Sequence, residues 1–226
     1  MGAVLKVIFT CTRRPDLDRG DYARRVLERH VPLALKHHPG MRRYAVNIVE
    51  REPAEGPPAD SFGVLWFDDL ESYHRDLYDS DEGRRIIGED VAGFLGGAHA
   101  YGTREHVHRD ALGPPVFGTR TPGLKWILCV KRRPELDRDA FLAHWHDVHV
   151  PLVLERLPAL RRYVTNVVEH PLSDDGEPWD GFVELWWDDR ESARRALAEA
   201  GAAIDADTQR FIAAVRAYTV AEYPQK

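Results

Sequence analysis

The chain has 226 residues, 43% of them hydrophobic, with 37 acidic against 31 basic side chains and a formal net charge of −6. Its scattered basic residues leave no electrostatic footprint for nucleic acid, and no stretch of about 18 apolar residues offers a membrane span. The start Met1-Gly2-Ala3-Val4-Leu5-Lys6 lacks the basic region and apolar run of a secretion signal, and two cysteines are too few for a disulfide framework, so a soluble protein of the reducing cytoplasm is expected.

In chain order, residues 4–12 form a β-branched and apolar run that reads as a strand. A helix starts near Asp18, with Asp21 three residues on as a capping pattern. Tyr22, Val26, His30 and Leu33 follow at spacings of 4, 4 and 3, one face of that helix. Strands are expected over 41–51 and 61–68, separated by a turn rich in Pro, Gly and acidic residues. Asp69 and Ser72 open a second helical region broken near Ser80, and a last strand covers 98–107. Gly113, Pro114, Pro115, Gly118, Pro122 and Gly123 then mark a linker.

After that linker the pattern begins again. Residues 6–50 and 125–169 align without a gap at a shift of 119, setting Arg13-Arg14-Pro15 on Arg132-Arg133-Pro134 and Asn47 on Asn166. After a loop one residue longer, Phe62-Gly63-Val64-Leu65-Trp66 matches Phe182-Val183-Glu184-Leu185-Trp186. Second-copy strands are expected over 124–131, 160–169, 181–188 and 215–223, with helices capped at Asp137 and Asp189, the latter broken near Gly201. The chain is a tandem duplication, with one repeat over 1–109, a linker over 110–123 and a second repeat over 124–226. Cys11 and Cys129 sit one position out of register, on opposite strand faces.

Strands apolar on both faces have no side meant for water. Helices of the same βαββαβ repeat cover one face, and the other copy covers the other. Two such sheets make an eight-stranded barrel with the helices outside.

The string Phe141-Leu142-Ala143-His144-Trp145-His146-Asp147-Val148-His149-Val150-Pro151-Leu152, preceded by Lys131-Arg132-Arg133-Pro134 and followed by Leu160-Arg161-Arg162-Tyr163 and Asn166, resembles the EthD family of the dimeric α/β-barrel (ferredoxin-like) superfamily. The resemblance covers both copies and implies an α+β fold, two ferredoxin-like repeats forming an intrachain barrel. The first copy keeps His30-Val31-Pro32, with Leu27, Val26 and Thr12 in place of His146, Trp145 and Lys131. Relatives of this kind resemble polyketide cyclases, dehydratases, isomerases and cofactor-free monooxygenases, and the superfamily includes haem proteins.

Pro32 and Pro151 lack an N–H, so the helix is expected to bend or stop beside His30 and His149. An imidazole there either transfers protons or packs on the helix and bonds a freed carbonyl. On a regular helix His146 and His149 share a face while His144 points away, which leaves too few ligands for a metal. Glu184 stands among aromatic residues where the first copy has Val64, and either has a raised pKa and works as an acid or base or sits at a strand end or beside an arginine partner such as Arg216. Tyr44 and Tyr163 lie three residues before Asn47 and Asn166, hence on opposite strand faces. His99 aligns with Arg216. Trp66, Trp126 and Trp186 offer walls for an aromatic ligand if they face the barrel, and otherwise are core.

No phosphate-binding glycine loop, Gly-x-Ser-x-Gly elbow or Cys/His pair is present. The sequence therefore predicts a cofactor-independent acid/base enzyme of cyclase, dehydratase, isomerase or monooxygenase type on a small hydrophobic, polyketide-like molecule. Its catalytic candidates are His149, Glu184, Tyr163, Asn166, His146 and His30, and its ligand-lining candidates Trp126, Trp186, Tyr44, His99 and Trp66. The alternatives are a non-catalytic binder of a hydrophobic ligand and a haem barrel using His149 or His99. No metal, cofactor, nucleic acid or membrane is expected, and the barrel is either monomeric or paired into a homodimer. The excess of Arg over Lys fits a bacterial source.

Overall fold

A computed structural model describes residues 4–226, so the first three residues of the first repeat lie outside the described residues. Strands β1 (Leu5–Arg13), β2 (Arg43–Arg51), β3 (Ser61–Phe67) and β4 (Leu95–Asp110) belong to the first repeat. Strands β5 (Leu124–Arg132), β6 (Arg162–Pro171), β7 (Gly181–Trp187) and β8 (Ile212–Pro224) repeat them. They close into one barrel in the order β1-β3-β2-β8-β5-β7-β6-β4, with antiparallel seams β2–β8 and β4–β6 joining the repeats.

Alternation along each strand serves two cores. Ile8, Phe62, Val64, Ile127, Phe182 and Val220 point inward and fill the middle of the barrel. Val7, Val46 and Phe67 point outward under the helices of the first repeat, and Val130, Val167 and Trp187 under those of the second. Neither face meets water, which explains the missing polar alternation. Cys129 packs inside the barrel, whereas Cys11 is buried next to the outward-packed Tyr22–Ser61 pair, and both are free thiols.

The outer layer contains α1 (Arg19–Arg25), α2 (Val31–His37), α3 (Leu70–Asp76), α4 (Asp81–Ala92), α5 (Arg138–Ala143), α6 (Val150–Arg156) and α7 (Arg190–Phe211). Asp18 and Asp137 cap the first helix of each repeat by accepting from the backbone N–H of Asp21 and Ala140, both at 2.7 Å. Asp69 with Ser72 and Asp189 with Ser192 form reciprocal capping boxes.

Two expectations about helices change. The helix does not stop at the prolines: residues Val26–His30 and His144–His149 widen into π-turns, in which the Val31 N–H reaches the Val26 carbonyl and the Val150 N–H that of Trp145. Each proline then falls at the start of a new α-segment, where its missing N–H costs nothing. The predicted break at Gly201 is also absent. Ser80 caps a fresh helix in the first repeat, but the alanine-rich α7 runs through Gly201, whose penalty of about 1 kcal/mol its neighbours outweigh.

One barrel end is sealed. Tyr101 donates to the Glu177 carbonyl at 2.8 Å and Tyr218 to that of Pro57 at 2.6 Å, tying down the two β2–β3 and β6–β7 loops, with Trp179 and Ala59 buried beneath them. Among the described residues no helix is long and apolar enough to cross a membrane.

In the second repeat the helical layer packs closely on the sheet where Trp145 lies against Gly181. A Cβ there would stand 2.6 Å from the Trp145 ring and 2.8 Å from the Asn166 carbonyl. Gly181→Ala is expected to destabilise the fold by about 1–3 kcal/mol, read from urea denaturation. An unchanged midpoint would contradict this packing.

Candidate functional site

The opposite end of the barrel, where β1 and β5 begin and the 111–123 segment crosses, carries inward polar residues in equivalent pairs. Lys6 corresponds to Lys125 of the other repeat, Trp66 to Trp186, Glu105 to Glu222 and Asn47 to Asn166. Glu184 has an apolar counterpart, Val64.

Glu184 bridges the two lysines. Lys6 donates to it, and Lys125 stands at 2.8 Å from its other oxygen, while the Asn166 amide donates at 3.1 Å. The lysines continue outward, Lys6 to Glu105 at 2.7 Å and Lys125 to Asn47 at 2.7 Å and to Glu222. The three central charges are buried: Lys6 is 1% exposed, Lys125 3% and Glu184 4%. Burial by itself would raise the Glu184 pKa, as anticipated from sequence. The ammonium groups of Lys125 and Lys6 outweigh burial and hold it well below the ordinary carboxylate range. The expectation of a raised pKa is thereby corrected, because two buried cations could not be seen as its neighbours.

Above this floor lies a cavity of about 710 Å³, lined by Lys6, Glu184, Glu222, Trp66 and Trp186 and roofed by the 111–123 segment. Its volume falls within the range of small-molecule sites, about 300–1,000 Å³. The Lys6 ammonium lies 4.8 Å from the Trp66 ring centre and Lys125 4.1 Å from that of Trp186, so each ring has a cation on it. Backbone bonds from Ala111 to Arg161, Gly118 to Pro224 and Thr121 to Glu222 pin the roof at 2.7–2.8 Å. Phe117 within it remains 58% exposed.

The predicted site residues do not converge. Glu184, Asn166, Trp66 and Trp186 point into the barrel at this end. Tyr163, Tyr44 and Trp126 point outward, since strand parity places them opposite Asn166, Asn47 and Lys125: Tyr163 and Tyr44 are buried beneath helices and Trp126 packs edge-on to Trp187. Burial raises the pKa of both tyrosines. His99 lies at the sealed end, 3.2 Å from Asp175. His149 and His30 stay in the helical layer, where Nδ1 of each meets a carboxylate, Asp207 at 2.9 Å and Asp90 at 3.1 Å. His149 and Tyr163 thus cannot share a substrate with Glu184 and Asn166.

The π-turn also rearranges the histidines. It brings His144 onto the same Asp207 as His149 and turns His146 toward His106 and His108, ring centres 4.6 and 5.9 Å away, over Thr165. Burial, the first cause in each case, lowers the pKa of all three, that of His108 to about 4. Sequence reasoning missed Asp90, Asp207, His106 and His108, along with the lysines. The alternation His106-x-His108 did signal a shared strand face. Nδ1 of His149 is engaged by Asp207 and that of His99 lies 3.2 Å from Asp175, and neither histidine lines the 710 Å³ cavity.

The EthD domain model matches residues 14–98 and 133–214. No curated protein matches by sequence. Among solved structures, the chain is similar to an anthrone oxidase-like protein, with a TM-score of 0.67 and 12% identity over 98% of this chain and 93% of that one. It is similar also to a candidate monooxygenase of Lactobacillus acidophilus NCFM, with a TM-score of 0.60 and 10% identity over 100% and 97%. A candidate chlorite dismutase aligns with a TM-score of 0.54 and 11% identity over 97% and 95%. At such identities these likenesses show the dimeric α/β-barrel fold alone.

The three clustered imidazoles set a pH dependence. Unfolded histidines take up protons near pH 6.5, whereas in the folded chain His108 does so only near pH 4. The Arg104–Glu169 pair and Asp147 lie beside the cluster and do not reverse the shifts. Stability is therefore full above pH 6.5 and falls as the pH drops toward 4. His108→Gln combined with His146→Leu, matching Gln225 and Leu27 of the other repeat, is expected to flatten that decline in melting temperature between pH 7.5 and 4.5. An unaltered slope would contradict it.

Proposed function

The chain belongs to the EthD family, and on that premise we propose that it is a cofactor-independent acid/base enzyme acting on a small, flat, enolisable hydrophobic molecule. The observation that carries this reading is the 710 Å³ cavity with indole walls and an ionised floor. Two of the three Lys6 N–H donors are committed to Glu105 and Glu184, which leaves one for an oxygen of the substrate. Glu222 lines the same cavity and serves as proton acceptor. It removes a proton from carbon conjugated with a carbonyl, the electron pair moves onto oxygen, and the Lys6 ammonium stabilises the resulting anion. Glu184, held ionised between Lys6 and Lys125, does not take the proton itself. Cyclisation, dehydration, isomerisation or reaction with oxygen all proceed from such an enolate. The name of the anthrone oxidase-like neighbour supports a flat polycyclic substrate.

A second reading, a non-catalytic ligand-binding barrel, is favoured by the ion pairing of both Glu184 oxygens and by a cavity lining without a histidine among the described residues.

Anthrone, a flat ketone with an acidic CH2, separates the two. Its deuterium uptake from D2O, followed by NMR, is expected to exceed the buffer rate with the wild-type protein. Glu222→Gln is expected to lower that excess by about 100-fold while changing anthrone affinity less than about threefold. Binding without accelerated exchange would contradict the enzyme and leave the binder. Absence of binding would remove both.

A further inference from the structure

The cavity walls are built twice from the same pair. Arg43 lies over Trp66, 4.4 Å from its ring centre, and its counterpart Arg162 over Trp186 at 5.0 Å. Stacking occupies the flat face of a guanidinium and leaves its in-plane N–H edge free for an acceptor. The two copies differ in what meets that edge. Arg162 is half-buried and faces the Asp110 carboxylate at 3.4 Å. Arg43 is exposed on the cavity and, among the described residues, meets no carboxylate or hydrogen-bond acceptor. The other cations around the cavity are engaged: Lys6 with Glu105 and Glu184, Arg120 with Glu50, Arg161 with Asp188, and the Lys226 ammonium with the Met41 carbonyl.

Resting on the reading of this cavity as the ligand site, we infer that its ligand carries a carboxylate and that Arg43 is the residue that selects it. A planar guanidinium fixed on an indole matches a carboxylate by two parallel N–H···O bonds. The adjacent Trp66 and the cavity beyond it then hold a flat ring system attached to that carboxylate. The ligand class is thus a fused-ring aromatic or polyketide-like acid. The inference concerns recognition only and adds no step to the chemistry.

Isothermal titration calorimetry with anthracene-9-carboxylate and anthracene-9-carboxamide tests it, because the pair shares ring and shape and differs in charge. Wild-type protein is expected to bind the acid about tenfold more tightly than the amide. Arg43→Gln is expected to erase that preference by weakening the acid alone, and Arg43→Lys to restore part of it, since a point charge lacks the fork. Equal affinity of the two probes for wild-type protein would overturn the inference while leaving the cavity as a binding site. Equal weakening of acid and amide by Arg43→Gln would also overturn it, by assigning Arg43 to the wall alone. If neither probe binds at millimolar concentration, the cavity reading itself fails and the inference falls with it.

Discussion

One buried carboxylate between two buried ammonium groups is the constraint on which this barrel rests. Lys6 and Lys125 enter the interior from equivalent positions of the two repeats, each beside a carboxylate of its own, Glu105 and Glu222. Glu184 reaches both. Removing one member of a buried ion pair typically costs about 3–5 kcal/mol because the remaining charge is stranded. Here a single side chain has two such partners. Val64, the equivalent residue in the first repeat, could serve neither. The duplication therefore did more than double a sheet: it allowed one position on one repeat to differ, and the barrel interior is organised around that difference.

From this bridge the rest of the site follows. A charged floor cannot be packed with aliphatic side chains, so the barrel remains open above it, whereas the middle closes with Ile8, Ile127, Phe62 and Phe182. The ammonium groups sit on Trp66 and Trp186 and fix those rings as walls. The segment joining the repeats spans this end by necessity, since β4 ends and β5 begins there, and it becomes the roof. The far end is sealed by Tyr101 and Tyr218 under two loops. The helix-covered space of the second repeat is filled by Trp145, Phe141 and Trp187, which leaves the histidines of the His-Val-Pro segment to clamp helices together through Asp90 and Asp207.

The fold was legible because its signals are local or repeated: the gapless alignment, the capping aspartates and the doubly apolar strands each specify structure without knowledge of distant contacts. The candidate site was legible only in part. Glu184, Asn166, Trp66 and Trp186 stood out by type or asymmetry, but a lysine near the start of a strand reads as a surface residue, and only closure of the barrel reveals that Lys6 and Lys125 face the Glu184 carboxyl. The same ignorance inverted its expected pKa. Trp126 was misassigned because its neighbour Lys125, and not the indole, occupies the inward position. The π-turns defeated the angular argument for His144, His146 and His149, since a wider turn aligns residues five apart that a regular helix would separate.

The account depends most directly on the charge state of Glu184, which a 13C carboxyl titration of labelled glutamate reads residue by residue once Glu184→Gln has identified its resonance. The structure predicts that this carbon remains in the carboxylate position from pH 8 down to pH 5 without a protonation step. A resonance that moves to the protonated position above pH 5 would show that the two lysines do not hold it, and the ionised floor on which the cavity and its proposed chemistry stand would be wrong.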